Sequence, residues 1–356
     1  MPDFIVSLTL ANSKKMLSDA VKANMSMFSI LDRIGLIADV FDAAILGNSS
    51  TTGALQVASS FSAEESGHVL PSLKKNLQDV LSNWVNEPKK VTDKIKSIYC
   101  STFSPKASKV GFGQNTTDGF EFQAKQALII EVAGYCGDAF TVKQSMDKFD
   151  DALSVNSSIA SLQLRKSIIQ TVISNSNSSV PFFKAIDALK ANGTSKEYRE
   201  IVVKSIGASN NLTLIDHLLD NVIFDSSIIQ LSETGTLIIS VYCSPLKKEV
   251  VPKVWPWFTK NWDKISGYVT ADTSSIGDVI NLFAPIFLSG VGDDFIKTAD
   301  DWIQCVHLTN DTQKAEWKTK NLFYQDSFER YLDKAKRNTA WLKRGRAEVE
   351  EWANQV

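Results

Sequence analysis

The chain has 356 residues, 44% of them hydrophobic and 22% charged, so it can bury a sizeable core and global disorder is excluded. A formal net charge of -2 gives nucleic acid or anionic lipid no electrostatic reason to be the main partner. No stretch approaches the roughly 20 apolar residues that cross a bilayer, and the start Met1-Pro2-Asp3-Phe4 lacks the basic, then apolar, pattern of a signal peptide.

The first element, Phe4 to Leu10, alternates with Phe4, Val6, Leu8 and Leu10 on one face, the pattern of a half-buried strand. Helices are predicted from there on. Ile30, Ile34, Ile37, Phe41 and Ile45 recur at three and four, with Gly47 placed as a C-cap. Val69, Leu73, Leu77, Val80 and Trp84 repeat the pattern, and Leu128, Val132 and Tyr135 close at Gly137. Then come Leu162, Ile169 and Ile173; Phe182, Ile186 and Leu189; Tyr198, Ile201, Val202 and Ile206; Leu214, Leu218 and Val222; and the apolar block Leu237 to Tyr242. Ile276, Ile280 and Phe283 precede Pro285, which should end or kink that helix. The last run, Leu322 to Trp352, is too long for one unbroken helix, and Gly345 is the candidate break. Polar linkers fall at Asn48 to Gly53, Ser174 to Ser179 and Thr270 to Ser275.

The predicted fold is therefore all-α: a superhelical array of antiparallel helix pairs of the HEAT or armadillo type, with units of about forty residues and no strict sequence period. Residues 1–12 form a strand remnant or linker, and residues 13–356 the helical array. Stacked pairs curve, and a curved stack offers a concave surface.

Cys100, Cys136, Cys243 and Cys305 form no C-x-x-C pair and are expected as buried free thiols, in keeping with a cytoplasmic location. Asn24, Asn48, Asn115, Asn156, Asn177, Asn192, Asn211 and Asn310 head N-x-S/T sequons, which matter only with a route to the secretory pathway. His68, His217 and His307 are scattered. A catalytic zinc site of the H-E-x-x-H kind needs two His four apart on one helix face, and this chain has none. Glu64-Glu65-Ser66-Gly67-His68 has the wrong spacing for that motif.

Three stretches carry a resemblance to a known family. Leu31-Asp32-Arg33-Ile34-Gly35-Leu36-Ile37-Ala38-Asp39-Val40-Phe41 resembles the D-R-x-x-L-x-x-D-x-F signature that opens the helical C-terminal domain of gluzincin zinc aminopeptidases, the puromycin-sensitive and endoplasmic-reticulum type. Trp255-Pro256-Trp257-Phe258-Thr259-Lys260-Asn261-Trp262, followed by Ile265, is similar to that family's W-x-F-x-x-x-N-W-x-x-I segment. Asn338, Trp341 and Leu342, with the later Trp352, resemble its terminal N-x-x-W-L and final W-L. Arg165, Gly207-Ala208-Ser209 and Gly111-Phe112-Gly113 lie at the family's stations between them. Lys125 stands where an Arg is usual, and Ala353 replaces the last Leu. The family's catalytic zinc domain and its G-x-M-E-N segment have no counterpart in this sequence.

The resemblance implies a non-catalytic capping domain that encloses a chamber and contacts peptides. The alternatives are the C-terminal part of an active zinc metalloaminopeptidase, or a helical-repeat scaffold. The implied partners are peptides or an aminopeptidase catalytic domain, with no cofactor in this chain and zinc only where a catalytic domain supplies it. The signature residues Asp32, Arg33, Asp39, Trp255, Phe258, Asn261, Trp262, Asn338 and Trp341 are expected to be structural. Trp255, Phe258 and Trp262, spaced three then four, read as a core face rather than an aromatic cage. The C-terminal helices are basic at Lys334, Lys336, Arg337, Lys343, Arg344 and Arg346, and Asp333 is placed to pair with Arg337. Lys334, Arg337 and Arg344 are the candidates to attract a peptide's terminal carboxylate.

Overall fold

The computed structural model describes residues 15–113, 119–191, 195–267 and 276–355, and within them all regular structure is helical. The predicted strand Phe4 to Leu10 and the linker Thr270 to Ser275 lie outside the described residues. The chain divides into two compact units, Met1–Gln144 with Ala340–Val356, and Ser145–Thr339.

The first unit contains α1 (residues 15–23), α2 (Ile30–Leu46), α3 (Thr51–Ser60), α4 (Leu70–Asn83), α5 (Lys89–Val110) and α6 (Phe120–Tyr135). It also takes the start of α7 (Ala139–Leu153) and the last part of the 30-residue α17 (Gln325–Asn354). Local chemistry sets the ends of α2. Ser29 Oγ accepts from Asp32 N at 3.1 Å while the Asp32 carboxylate accepts from Ser29 N at 3.0 Å, so two orphan donors satisfy each other. Gly47 closes the helix at φ 85°, a left-handed conformation that costs glycine nothing, and Gly137 does the same after α6 at φ 73°. The stripe of α4 is fully buried at Leu73, Leu77 and Val80, as are the flanking Val69 and Trp84. In α2 Ile37 and Phe41 are buried, but Ile30 is exposed.

The second unit takes α8 (Leu162–Asn175), α9 (Val180–Lys190), α10 (Lys196–Ile206), α11 (Leu212–His217), α12 (Leu231–Val241), α13 (Lys247–Ser266), α14 (Ile276–Ser289), α15 (Asp293–Ile303) and α16 (Asp311–Lys320). α11 runs on into a π turn, Leu218–Val222. Every second helix packs on the next, α8 on α10, α10 on α12 and α12 on α14, while α9 and α13 lie between them in sequence. This is the all-α array of helix pairs that the sequence predicts. Small residues set the spacing of the row. A Cβ on Gly207, after α10, would fall 2.3 Å from Val241 N in α12, and one on Gly235 in α12 would fall 2.7 Å from the Asn281 carbonyl in α14. Two backbones therefore touch where a side chain would hold them apart.

Four expectations are corrected. Cys100 and Cys136 are joined in a disulfide between α5 and the C-cap of α6, while Cys243 and Cys305 are in no disulfide. Widely spaced cysteines reveal nothing of pairing until the helices bring them together. Gly345 does not break α17. Its missing Cβ would sit 2.8 Å from Thr51 Oγ1 and 3.1 Å from the Trp84 ring, so glycine serves close packing there. Of the two outcomes expected at Pro285, an end or a kink, the end is ruled out, since α14 continues to Ser289, and Pro105, Pro252 and Pro256 are likewise inside helices. A helix-interior proline costs about 3 kcal/mol, and in α14 the burial of Phe283, Ile286 and Phe287 around it offsets that loss. The polar linkers are shorter than predicted, since α3 already begins at Thr51 behind its N-cap Ser50 and α8 runs on to Asn175.

Candidate functional site

The signature residues are placed by packing and capping. Asp32 belongs to the cap of α2, and the hydrogen bonds from Ser29 hold its carboxyl below the usual range. Arg33 reaches from α2 to Glu64, Nη1 to Oε2 at 2.6 Å, and the same buried carboxylate accepts from Ser66 N at 2.7 Å and Glu65 N at 3.0 Å. A buried charge needs such partners because water no longer solvates it. Nearby Lys106 is also buried and donates to the carbonyls of Ser62 and Thr102. Burial pushes its ammonium pKa down, with Glu65 acting against that shift. Asp39 is exposed on α2.

Phe258 and Trp262 are buried and Trp255 half-buried in one aromatic cluster of the second unit. Trp255 meets Phe295 at 5.2 Å and Phe287 at 5.3 Å, and Phe258 meets Trp302 at 5.4 Å between ring centroids. Trp262 donates its indole N–H to Asn321 Oδ1 at 2.8 Å, and Asn261 bonds back to Trp257 O within its own helix at 2.8 Å. Trp257 stands apart from this cluster. Its indole N–H reaches Leu219 O in the π turn at 2.8 Å, and its ring stacks on Phe224. These rings leave no open cage for a cation. In the first unit Trp341 packs edge-on against Trp84 at 5.1 Å and donates to Thr51 Oγ1 at 3.0 Å. Asn338 is half-buried on α17.

The three predicted cations, Lys334, Arg337 and Arg344, are all exposed and have different surroundings. Arg344 is spent on structure, donating to Ile45 O at the end of α2, where a helix terminus leaves its last carbonyls open. Lys334 is exposed with its ammonium 5.4 Å from the Tyr331 ring centre, and Arg337 is exposed. Asp333 lies 3.6 Å from Lys336. The histidines are also apart. His68 lies 3.4 Å from Glu121, His217 Nδ1 faces Asn221 at 3.3 Å, and His307 stacks on Trp302. Among the described residues His, Cys, Asp and Glu do not gather in threes.

Sequence reading missed a cavity of about 390 Å³ in the second unit. Two polar loops, Ser176–Asn177–Ser178 between α8 and α9 and Ser209–Asn210–Asn211 between α10 and α11, form its rim. Ile173, Phe182, Leu214 and Leu246 supply apolar wall. The signal was present as Ser- and Asn-rich segments, which also suit plain linkers.

The comparisons agree with this architecture. A family model described as the ERAP1-like C-terminal domain matches residues 4–314. The chain is 23% identical over 314 residues to "Aminopeptidase 2, mitochondrial" of Saccharomyces cerevisiae, covering 86% of this chain and 32% of that protein. It is 21% identical over 271 residues to the same yeast's "Alanine/arginine aminopeptidase", 74% of this chain and 30% of that one. It is 22% identical over 257 residues to "Aminopeptidase 2" of Candida albicans, 71% of this chain and 27% of that one. It spans about a third of the length of the curated relatives it matches. With the match running through α1 to α16, the chain belongs to the ERAP1-like C-terminal domain family.

Proposed function

We propose that this chain is a peptide-binding and capping domain with no catalytic centre of its own, acting beside a catalytic part of the aminopeptidase type. The observation that carries this reading is the family match over residues 4–314, together with alignments that take in only about a third of each aminopeptidase. The uncharged cavity between the helix pairs supports it, because a peptide needs concave surface and hydrogen-bonding groups. Lys334 and Arg337 are exposed cations that a peptide's terminal carboxylate could reach. The test is calorimetry with peptides of eight to fifteen residues, joined to co-purification with an aminopeptidase catalytic part. The absence of both peptide binding and co-purification would remove the proposal.

The same short coverage favours a second reading, in which the chain is the C-terminal part of an active zinc aminopeptidase. Aminoacyl-coumarin turnover by the purified chain with added zinc separates the two. Chelator-sensitive turnover that survives repurification would establish activity in the chain itself. Among the described residues no helix is long and apolar enough to cross a membrane. A cytoplasmic location belongs to the first reading, and the Cys100–Cys136 disulfide is the observation that speaks against it.

A further inference from the structure

The cavity between the α8–α9 and α10–α11 loops has a lining that selects one kind of ligand. Among the described residues its lining carries no Asp, Glu, Lys, Arg or His, so a charged group entering it would be desolvated without an ionic partner there. Its hydroxyls are largely committed. Ser176 Oγ accepts from Ser178 N at 3.1 Å, Ser178 Oγ from Val180 N at 3.2 Å, and Ser209 Oγ from Asn211 N at 3.1 Å. Asn211 is occupied too, its Oδ1 capping Thr213 N at 2.9 Å. Two rim groups differ. The side-chain amides of Asn177 and Asn210 form no hydrogen bond with the described residues.

An Asn side chain offers one acceptor oxygen and a donor NH₂, which is the complement of a peptide C=O and N–H. Asn177 and Asn210 sit on different inter-helix loops of one cavity, above an apolar wall of Ile173, Phe182 and Leu214. We propose that the cavity binds an uncharged internal segment of an extended peptide. One apolar side chain packs against Ile173, Phe182 and Leu214 while the main-chain amide groups pair with Asn177 and Asn210. The size fits a short segment, since 390 Å³ lies near the small end of pockets that take compact ligands, roughly 300–1,000 Å³. This rests on the peptide-binding reading above and names the part of the peptide recognised. It does not depend on how the peptide's terminal carboxylate is held.

The experiment is calorimetry on the full chain with three nine-residue probes: one with Leu and Phe at its centre, the same peptide with an amidated C-terminus, and one with two central Asp in their place. The variants are Asn177→Ala/Asn210→Ala and, as a contrast, Lys334→Ala/Arg337→Ala. Both asparagines are on loops and outside the core, and circular dichroism melts confirm that the variants fold. The expected result is about a tenfold loss of affinity in the double Asn variant, equal for acid and amide forms, as the loss of two modest hydrogen bonds would give. The Asp-centred probe should bind at least as much more weakly to the parent chain. Peptide binding that the double Asn variant leaves within a factor of two overturns the cavity assignment and leaves the peptide-binding reading standing. An Asp-centred probe that binds as well as the Leu-Phe one also overturns it. Absence of binding for every probe on the parent chain overturns the underlying reading, and the assignment with it.

Discussion

Gly207→Ala tests the packing logic of the helix row most directly. Gly207 follows α10, and its amide donates to Ser240 Oγ in α12 at 3.0 Å. An added Cβ would meet Ser240 Oγ at 2.2 Å, Val241 N at 2.3 Å and the Ser240 carbonyl carbon at 2.5 Å. Two of those three atoms are backbone, so no rotamer change relieves the overlap, and α10 and α12 must part by about an ångström. Inserting bulk into a packed contact costs typically 1–3 kcal/mol and occasionally more. The shift also lengthens the Gly207–Ser240 hydrogen bond, worth about 1 kcal/mol. Against this, replacing glycine at its φ of -72° with alanine recovers about 0.4–1 kcal/mol of unfolded-state entropy. Steric overlap wins, and the expected net loss is about 2–3 kcal/mol. Urea unfolding followed by circular dichroism reads it, with Gly35→Ala as the control. Gly35 lies in α2 with nothing within 4 Å of its would-be Cβ, so that substitution should stabilise by about 0.5–1 kcal/mol. A Gly207→Ala protein as stable as the parent would refute the close approach of the two helices.

Three further outcomes follow from the same geometry. Breaking the disulfide by Cys100→Ser/Cys136→Ser should cost up to about 4 kcal/mol on a chain-entropy account of the loop, whose cysteines are 36 apart in sequence. Mass spectrometry of the native protein under non-reducing conditions checks the bond first, and two free thiols there would remove its role. Tyr324 is buried, its hydroxyl has no hydrogen-bond partner among the described residues, and burial pushes its pKa up to about 12. Below pH 10 both states hold that proton. Above it the unfolded chain ionises first, so stability should fall by about 1.4 kcal/mol per pH unit from pH 10 towards 12 on this group's account. Tyr324→Phe should remove that component and match or exceed parent stability at pH 7, and an unchanged alkaline slope would argue against the buried hydroxyl. Glu64→Gln keeps the shape but leaves Arg33 without its carboxylate. Denaturant titration should show roughly 2–3 kcal/mol lost, below the 3–5 of a fully buried pair because Arg33 keeps some contact with water. A loss under 0.5 kcal/mol would mark the pair as dispensable.

The candidate site was less legible than the fold. Arg344 looks like its basic neighbours on α17, yet a carbonyl of α2 claims it, and the partner Ile45 is 299 positions away. Cys100 and Cys136 look like two ordinary apolar residues until α5 and α6 lie side by side. The loops around Asn177 and Asn210 are polar for reasons shared by every turn, and what distinguishes them is two amides that the fold leaves uncommitted across one cavity.

Helix periodicity and cap chemistry are local, acting between residues three or four apart, so the sequence by itself determined the helical array of the described residues, the stripes of α4 and α10, and the glycine stops at Gly47 and Gly137. The same locality explains its failures. Gly345 and Pro285 are helix breakers in isolation, and both sit inside helices because distant partners decide the balance, Thr51 and Trp84 for one and, for the other, the rings of Phe258 and Phe328 packed on Phe283 and Phe287. Which thiols pair, which cations remain available and where a cavity opens depend on residues brought together from far along the chain, and tertiary packing alone settled them.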